Sequence, residues 1–191
     1  MLWSEPPVTS PPPLFHAVLG EAYASLPPSL RALHGGSGRW QGEATVERGR
    51  GRLSRLCAWL TRLPPAGAHP VVVEIVAGHD GAEYHGERWT RRYGAAHAMP
   101  SRLWIAGGAL CERLGPVTLR YRMTVENDAI VWRVDGIRIL GLLPLPASAF
   151  AGVEARESHA SGEDGRYRFD VRARLPGIGL LVHYRGWLEP A

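Results

Sequence analysis

Between Arg166 and Leu175 the chain reads Arg-Tyr-Arg-Phe-Asp-Val-Arg-Ala-Arg-Leu, with a charge at every even position and an apolar side chain at every odd one. A period of two sends Tyr167, Phe169, Val171, Ala173 and Leu175 to one face of a strand and an arginine row to the other. Strands with one wet face belong to antiparallel sheets. The same alternation recurs at lower fidelity over residues 40–48, 70–77, 83–93, 101–106, 117–126, 129–140, 153–158 and 180–188. Most joins are short and turn-like, among them Gly78-His79-Asp80-Gly81, Glu126-Asn127-Asp128 and Ser161-Gly162-Glu163-Asp164-Gly165. Such joins predict that sequential strands pair antiparallel. A sheet of about eight to ten strands is more than a small open sheet holds comfortably, so it is expected to curl, as an open curl or a closed β-barrel.

Helical periodicity interrupts this pattern early in the chain. Leu14, Phe15, Val18, Leu19, Ala22, Tyr23 and Leu26 fall at three- and four-residue spacings before Pro27-Pro28, which predicts an amphipathic helix stopped by the prolines. A second short helix is expected over 29–33, with Ser29 as its N-cap. A third is expected over 52–63, with Leu53, Leu56, Cys57, Leu60 and Leu63 as an apolar stripe laid on the sheet. The fold class is therefore α+β, a curled, mostly antiparallel sheet with the N-terminal helices and one further helix packed on it.

One connection differs from the rest. Leu140 to Gly152 reads Leu-Gly-Leu-Leu-Pro-Leu-Pro-Ala-Ser-Ala-Phe-Ala-Gly, almost without a polar side chain. An apolar loop either plugs the core or touches something apolar, and the plug is the simpler reading.

Residues 1–13 are rich in proline and serine and read as a flexible arm; residues 14–191 read as one β-rich domain. The opening segment has no basic n-region, and no apolar run reaches the about 18 residues needed to span a bilayer. Cys57 and Cys111 are too few for a disulfide framework, so a cytoplasmic location with reduced thiols is expected. All 22 basic residues are arginine, the net charge is +4, and the arginines interleave with acids rather than cluster. That distribution argues against a nucleic-acid partner.

Several segments, read together, resemble one family: Glu47-Arg48-Gly49-Arg50-Gly51, Glu87-Arg88-Trp89-Thr90-Arg91-Arg92-Tyr93-Gly94, Glu112-Arg113-Leu114-Gly115-Pro116, Arg166-Tyr167-Arg168-Phe169-Asp170-Val171 and Tyr184-Arg185-Gly186-Trp187-Leu188. The chain is similar, from about Leu14 to Glu189, to the bacterial domain-of-unknown-function family numbered 4166. Members of that family occur alone or fused C-terminally to saccharopine-dehydrogenase-like, nucleotide-binding domains. The resemblance implies no activity and supplies no catalytic residues. It implies that a reductase, if one is involved, is a separate partner chain.

Chemistry-bearing constellations are weak. Gly49-Arg-Gly51-Arg-Leu-Ser54 sits where a phosphate loop would, but lacks the third glycine and the parallel strands such a loop serves. Glu83-x-His85-x-Glu87, with His79, His97 and His159 elsewhere, shows no convergence on a metal. No serine lies in a nucleophile elbow, and Cys57 reads as packing. Glu154 and Asp170 could pair, as could carboxylates in any β-domain. No cofactor, metal or catalytic residue is expected, and enzymatic activity is the less favoured reading unless Glu or His side chains point into a cavity.

The apolar faces are richer. Tyr84, Tyr93, Met123 and Trp187 accompany Trp89, Trp104, Tyr121, Trp132, Phe169 and Tyr184, which a curled sheet could gather around one interior. Such an interior either packs solid with these rings or, because buried Trp and Tyr need partners for their N–H and O–H groups, suits an amphipathic ligand. Glu87, Arg91 and Arg113 would meet the ligand's polar end at the rim, and the 140–152 loop would gate entry. The alternative is an accessory domain contacting a reductase or a second copy of itself. Helix 52–63 could also lie on a membrane through Arg50, Arg52, Arg55, Arg62 and Trp59, although covering the sheet is its simpler role.

Overall fold

The computed structural model describes residues 12–79, 85–160 and 165–191. Residues 1–11, residues 80–84 with Glu83 and Tyr84, and residues 161–164 lie outside the described residues. Eleven strands are formed: β1 (Gly38–Arg48), β2 (Gly67–His79), β3 (His85–Tyr93), β4 (His97–Ala106), β5 (Ala109–Leu114), β6 (Val117–Glu126), β7 (Ala129–Ile139), β8 (Leu143–Leu145), β9 (Gly152–His159), β10 (Tyr167–Leu175) and β11 (Gly179–Pro190). All pairings are antiparallel. The order β6-β5-β4-β3-β2-β1-β11-β10-β9-β7 returns to β6 through the β6–β7 ladder, closing a 10-strand β-barrel with β8 appended to β7. Closure removes every exposed edge of the ring.

The turns follow from their residues. Gly107-Gly108 (φ 57° and 73°) and Asn127-Asp128 (φ 51° and 57°) are two-residue connections with both positions left-handed, the geometry that matches the twist of a hairpin. The first of them joins β4 to β5, a strand the alternation rule does not reveal. Leu110 and Glu112 point inward, while Ala109 and Cys111 point outward yet are also buried, so no polar face marks the segment.

Three α-helices decorate the ends of the barrel. α1 (Leu14–Leu19) is shorter than its periodicity suggests, because Gly20 adopts a left-handed φ of 57° and the chain continues as a 3-10 turn over Gly20–Tyr23. α2 (Pro28–Leu33) starts at Pro28, whose fixed φ suits the first helical position. Ser29 is not its cap; its Oγ lies 2.9 Å from His159 Nδ1 on β9. Together α1 and α2 stopper one end of the barrel. Phe15, Leu30 and Leu33 are fully buried there, and the Phe15 ring stacks on His34 at 3.6 Å and meets Trp132 at 5.3 Å.

α3 (Arg52–Leu60) crosses the opposite end, and here the expected orientation is reversed. Its buried residues are Ser54 and Ala58, while Leu53, Leu56, Trp59 and Leu60 are exposed. Small side chains permit close approach: the Ser54 hydroxyl donates to the Leu180 carbonyl of β11 at 2.8 Å. The loop before α3 docks equally tightly, with Gly49 N–H donating to Leu181 O at 3.2 Å. A Cβ on Gly49 would collide with the Leu180 carbonyl. The Gly49–Ser54 segment is thus a strand-to-helix turn held by β11.

The 140–152 segment plugs the core with part of its length and leaves the rest exposed. β8 and a 3-10 turn (Ala147–Phe150) bring Leu145 and Phe150 against the core, while Leu140, Leu142 and Leu143 face outward. No helix among the described residues is long and apolar enough to cross a membrane.

Candidate functional site

Between the α1/α2 stopper and the α3 end, the barrel is not filled. A cavity of about 360 Å³ lies along its axis, lined at the mouth by Cys57 of α3, Thr61 just past its end, Leu145 and Phe150, and along its walls by Met99, Leu119, Val153, Ala155, Ala173 and Val182. Inward positions of the strands supply these walls because each strand alternates between barrel interior and solvent. Cys57 therefore borders the cavity rather than packing against the sheet.

The floor of the cavity is polar. Arg91 on β3 donates from Nη1 to Ser101 Oγ at 2.9 Å and from Nη2 to Glu112 Oε1 at 3.2 Å. Tyr121 donates to the other oxygen, Glu112 Oε2, at 3.1 Å. Burial alone would lower the Arg91 pKa, but the Glu112 carboxylate, with Tyr184, Tyr93 and Tyr121 around it, raises it overall, so the guanidinium is charged. Burial first, and Glu112 second, push the Tyr121 hydroxyl well above its ordinary value. Tyr184, also at the cavity surface, is pushed up to about 12 by burial. Both phenols stay protonated at any physiological pH.

Trp132 completes the floor. Its ring is 4 % exposed and packs edge-on to Tyr121 at 5.3 Å, and its Nε1–H has no hydrogen-bond partner among the described residues. An unmet buried donor costs about 1–3 kcal/mol. Such groups are rare in folded proteins, and here the N–H is sealed in the layer where the Trp132 ring packs on Phe15 and His34.

A second polar layer sits directly behind, where the stopper meets the barrel. His34 Nε2–H donates to Glu157 Oε2 at 2.6 Å, and Trp89 Nε1–H donates to Glu87 Oε2 at 2.7 Å. Burial raises the Glu87 pKa, opposed by the Trp89 hydrogen bond, His34 and the Leu14 backbone. Glu157 shares both layers, since it borders the cavity as well as holding His34.

Of the residues that sequence reasoning nominates, Arg91, Tyr121, Trp132 and Tyr184 line the cavity. Trp89, Phe169 and Glu87 are buried, but they lie in the packed layer behind it. Trp104 and Arg113 are not in the interior at all. Each follows an inward residue by one position, Leu103 and Glu112 respectively, so the pleat turns them outward. Arg91 is not at the rim as expected but at the floor. Glu154 and Asp170 lie on the outer face, paired with Arg133 and His183. Of the Glu83-x-His85-x-Glu87 face, only the Glu87 side chain is among those described. Glu112 and Glu157 were missed. The first lies on the unrecognised β5, whereas the second shares a period-two face with Val153 and Ala155 that could have revealed it.

A family model described as "Domain of unknown function (DUF4166)" matches residues 26–188. Among solved structures, the crystal structure of Rv2717c from M. tuberculosis is similar at 17 % identity and a TM-score of 0.41, with 87 % of this chain and 99 % of that chain covered. No curated protein matches.

Proposed function

The chain belongs to the DUF4166 family, and we propose that it is a non-enzymatic, cytoplasmic binding domain, a single unit over residues 14–191, that holds a hydrophobic or amphipathic small molecule inside its barrel. The observation that carries this reading is an unfilled, largely apolar cavity whose floor gathers Arg91, Glu112, Tyr121, Glu157 and Tyr184. The cavity volume falls in the range of about 300–1,000 Å³ usual for small-molecule sites. A ligand entering past α3 would place an acceptor, such as a carboxylate or carbonyl oxygen, against Arg91 and the Tyr184 hydroxyl. Its apolar body would lie along Leu119, Val153 and Ala173 toward the mouth. Glu112 has both oxygens engaged by Arg91 and Tyr121, and Glu157 holds His34, which favours binding over acid–base chemistry for these inward carboxylates.

Native mass spectrometry and intrinsic fluorescence with a panel of long-chain carboxylates, alcohols and alkanes test the proposal. Carboxylates and alcohols are expected to bind, and Ala155→Phe, which obstructs the cavity, to abolish binding with the fold intact. No complex with any member of the panel refutes it. A second reading, an accessory domain that contacts a nucleotide-binding reductase or its own copy, draws on the exposed Leu140, Leu142 and Leu143. A concentration-independent monomer that captures no reductase removes that reading.

A further inference from the structure

The mouth end of the barrel carries a feature that ligand binding alone does not require. Among the described residues, every strongly exposed large apolar side chain except Val76 lies on α3 or in the 140–143 turn; Trp59 is 74 % exposed and Leu142 86 %. Both elements flank the same opening, since Cys57 and Thr61 on one side and Leu145 and Phe150 on the other line the cavity. Exposed apolar surface gathered on one end of a barrel whose remaining surface is polar marks a contact face.

Charge identifies what the face meets. No Asp or Glu occurs between Glu47 and Glu74 or between Asp135 and Glu154, nor in the 94–98, 114–117 and 175–180 turns that share this end. Arg50, Arg52, Arg55, Arg62 and Arg138 are exposed there, and none forms an ion pair among the described residues. On the barrel wall acids are present, and Arg39, Arg120, Arg133, Arg166 and Arg185 pair with them, while Arg102, Arg168 and Arg172 do not among the described residues. An outward leucine row with an exposed tryptophan, bordered by unpaired arginines and free of acids, has the composition of a helix that lies in the headgroup layer of an anionic bilayer. A protein partner would have to present both a large apolar patch and matching acids, whereas an anionic lipid surface offers both by construction.

We propose that α3 and the 140–143 turn dock the mouth of the barrel onto the surface of an anionic lipid bilayer. Leu53, Leu56, Trp59 and Leu60, with Leu142 and Leu143, enter the acyl boundary, and Arg52, Arg55 and Arg62 engage lipid phosphates. The docked orientation sets the cavity opening against the bilayer. The docking stands independently of whether the cavity holds a ligand.

The test is co-sedimentation of the full chain with vesicles of phosphatidylcholine alone and of phosphatidylcholine mixed with phosphatidylglycerol. Binding to the mixed vesicles only is expected, weakened by salt, with a blue shift in emission that Trp59→Phe diminishes. Arg52→Gln combined with Arg55→Gln is expected to lower partitioning about 30-fold, at roughly five- to sixfold per arginine contact. Leu56→Ser and Leu142→Ser lower it further while leaving the unfolding midpoint unchanged, because both side chains are already exposed. Ala155→Phe leaves vesicle binding intact even where it abolishes ligand binding, so the two proposals fail separately. Equal partitioning into both vesicle types, absence of binding, or a concentration-dependent dimer that Leu56→Ser dissociates overturns the inference.

Discussion

The sharpest prediction concerns the buried pair at the cavity floor. Glu112→Gln keeps the size of the side chain and an oxygen for Tyr121, but removes the charge facing Arg91, whose side chain is only 13 % exposed. Removing one partner of a buried pair strands the other, at a cost of about 3–5 kcal/mol, out of a total stability of roughly 5–15 kcal/mol for a domain. With a urea m-value of about 2 kcal/mol/M, the unfolding midpoint should fall by roughly 2 M. The double variant Arg91→Met/Glu112→Gln removes the stranded charge as well and should recover most of the loss, since apolar replacement of a buried pair is often close to neutral. A long-chain carboxylate should then stabilise Glu112→Gln more than it stabilises the unaltered protein, by supplying the missing anion. Equilibrium urea unfolding with and without the carboxylate measures all three quantities. A loss under about 1 kcal/mol for Glu112→Gln, or a double variant less stable than the single one, would show that the cavity solvates Arg91 and that the reasoning is wrong.

Other expectations follow from individual residues. Trp132→Phe deletes the unpartnered N–H while keeping an aromatic ring, so unfolding stability should change by no more than about 1 kcal/mol despite the smaller side chain, as urea melts would record. Glu87 has a folded-state pKa raised above its ordinary value, so its contribution to stability is full below the ordinary carboxylate range and is lost as pH rises through the raised value. Glu87→Gln should accordingly flatten the stability profile from acid to neutral pH and be no less stable at neutrality, as urea melts across that range would record. Gly49→Ala drives a Cβ into the Leu180 carbonyl and should cost about 2 kcal/mol or more, seen as a fall in Tm of roughly 4–8 °C.

Strands with a wet outer face were legible, and β10 is the clearest: Arg168, Asp170, Arg172 and Arg174 stand in solvent while Tyr167 and Phe169 are buried. β5 was not legible, because both of its faces are covered and alternation has no contrast there. That single gap concealed Glu112, the carboxylate around which the cavity floor is built. Parity errors explain Trp104 and Arg113, which were chosen by residue type rather than by position relative to Leu103 and Glu112. The orientation of α3 failed for a different reason. An apolar stripe on a helix reveals amphipathicity but not which face meets the protein, and here the contact is made by Ser54 and Ala58 because the helix sits close to β11. Barrel closure itself rests on the β6–β7 and β7–β9 ladders, whose register no local pattern specifies.

The position of β11 bears on how the molecule is made. Trp40 pairs with Pro190 and Tyr167 with Leu188, so the final strand is the stave between β1 and β10. As the chain emerges from the ribosome, the hairpins from β2 to β7 can assemble early, but the ring remains a gapped sheet with two live edges until β11 is free to enter. Contacts of such long sequence separation make for slow folding and exposure to aggregation. Synthesis of this protein should therefore include an interval in which chaperones recognise an unfinished barrel, and deletion of β11 should yield insoluble chains rather than a smaller stable domain.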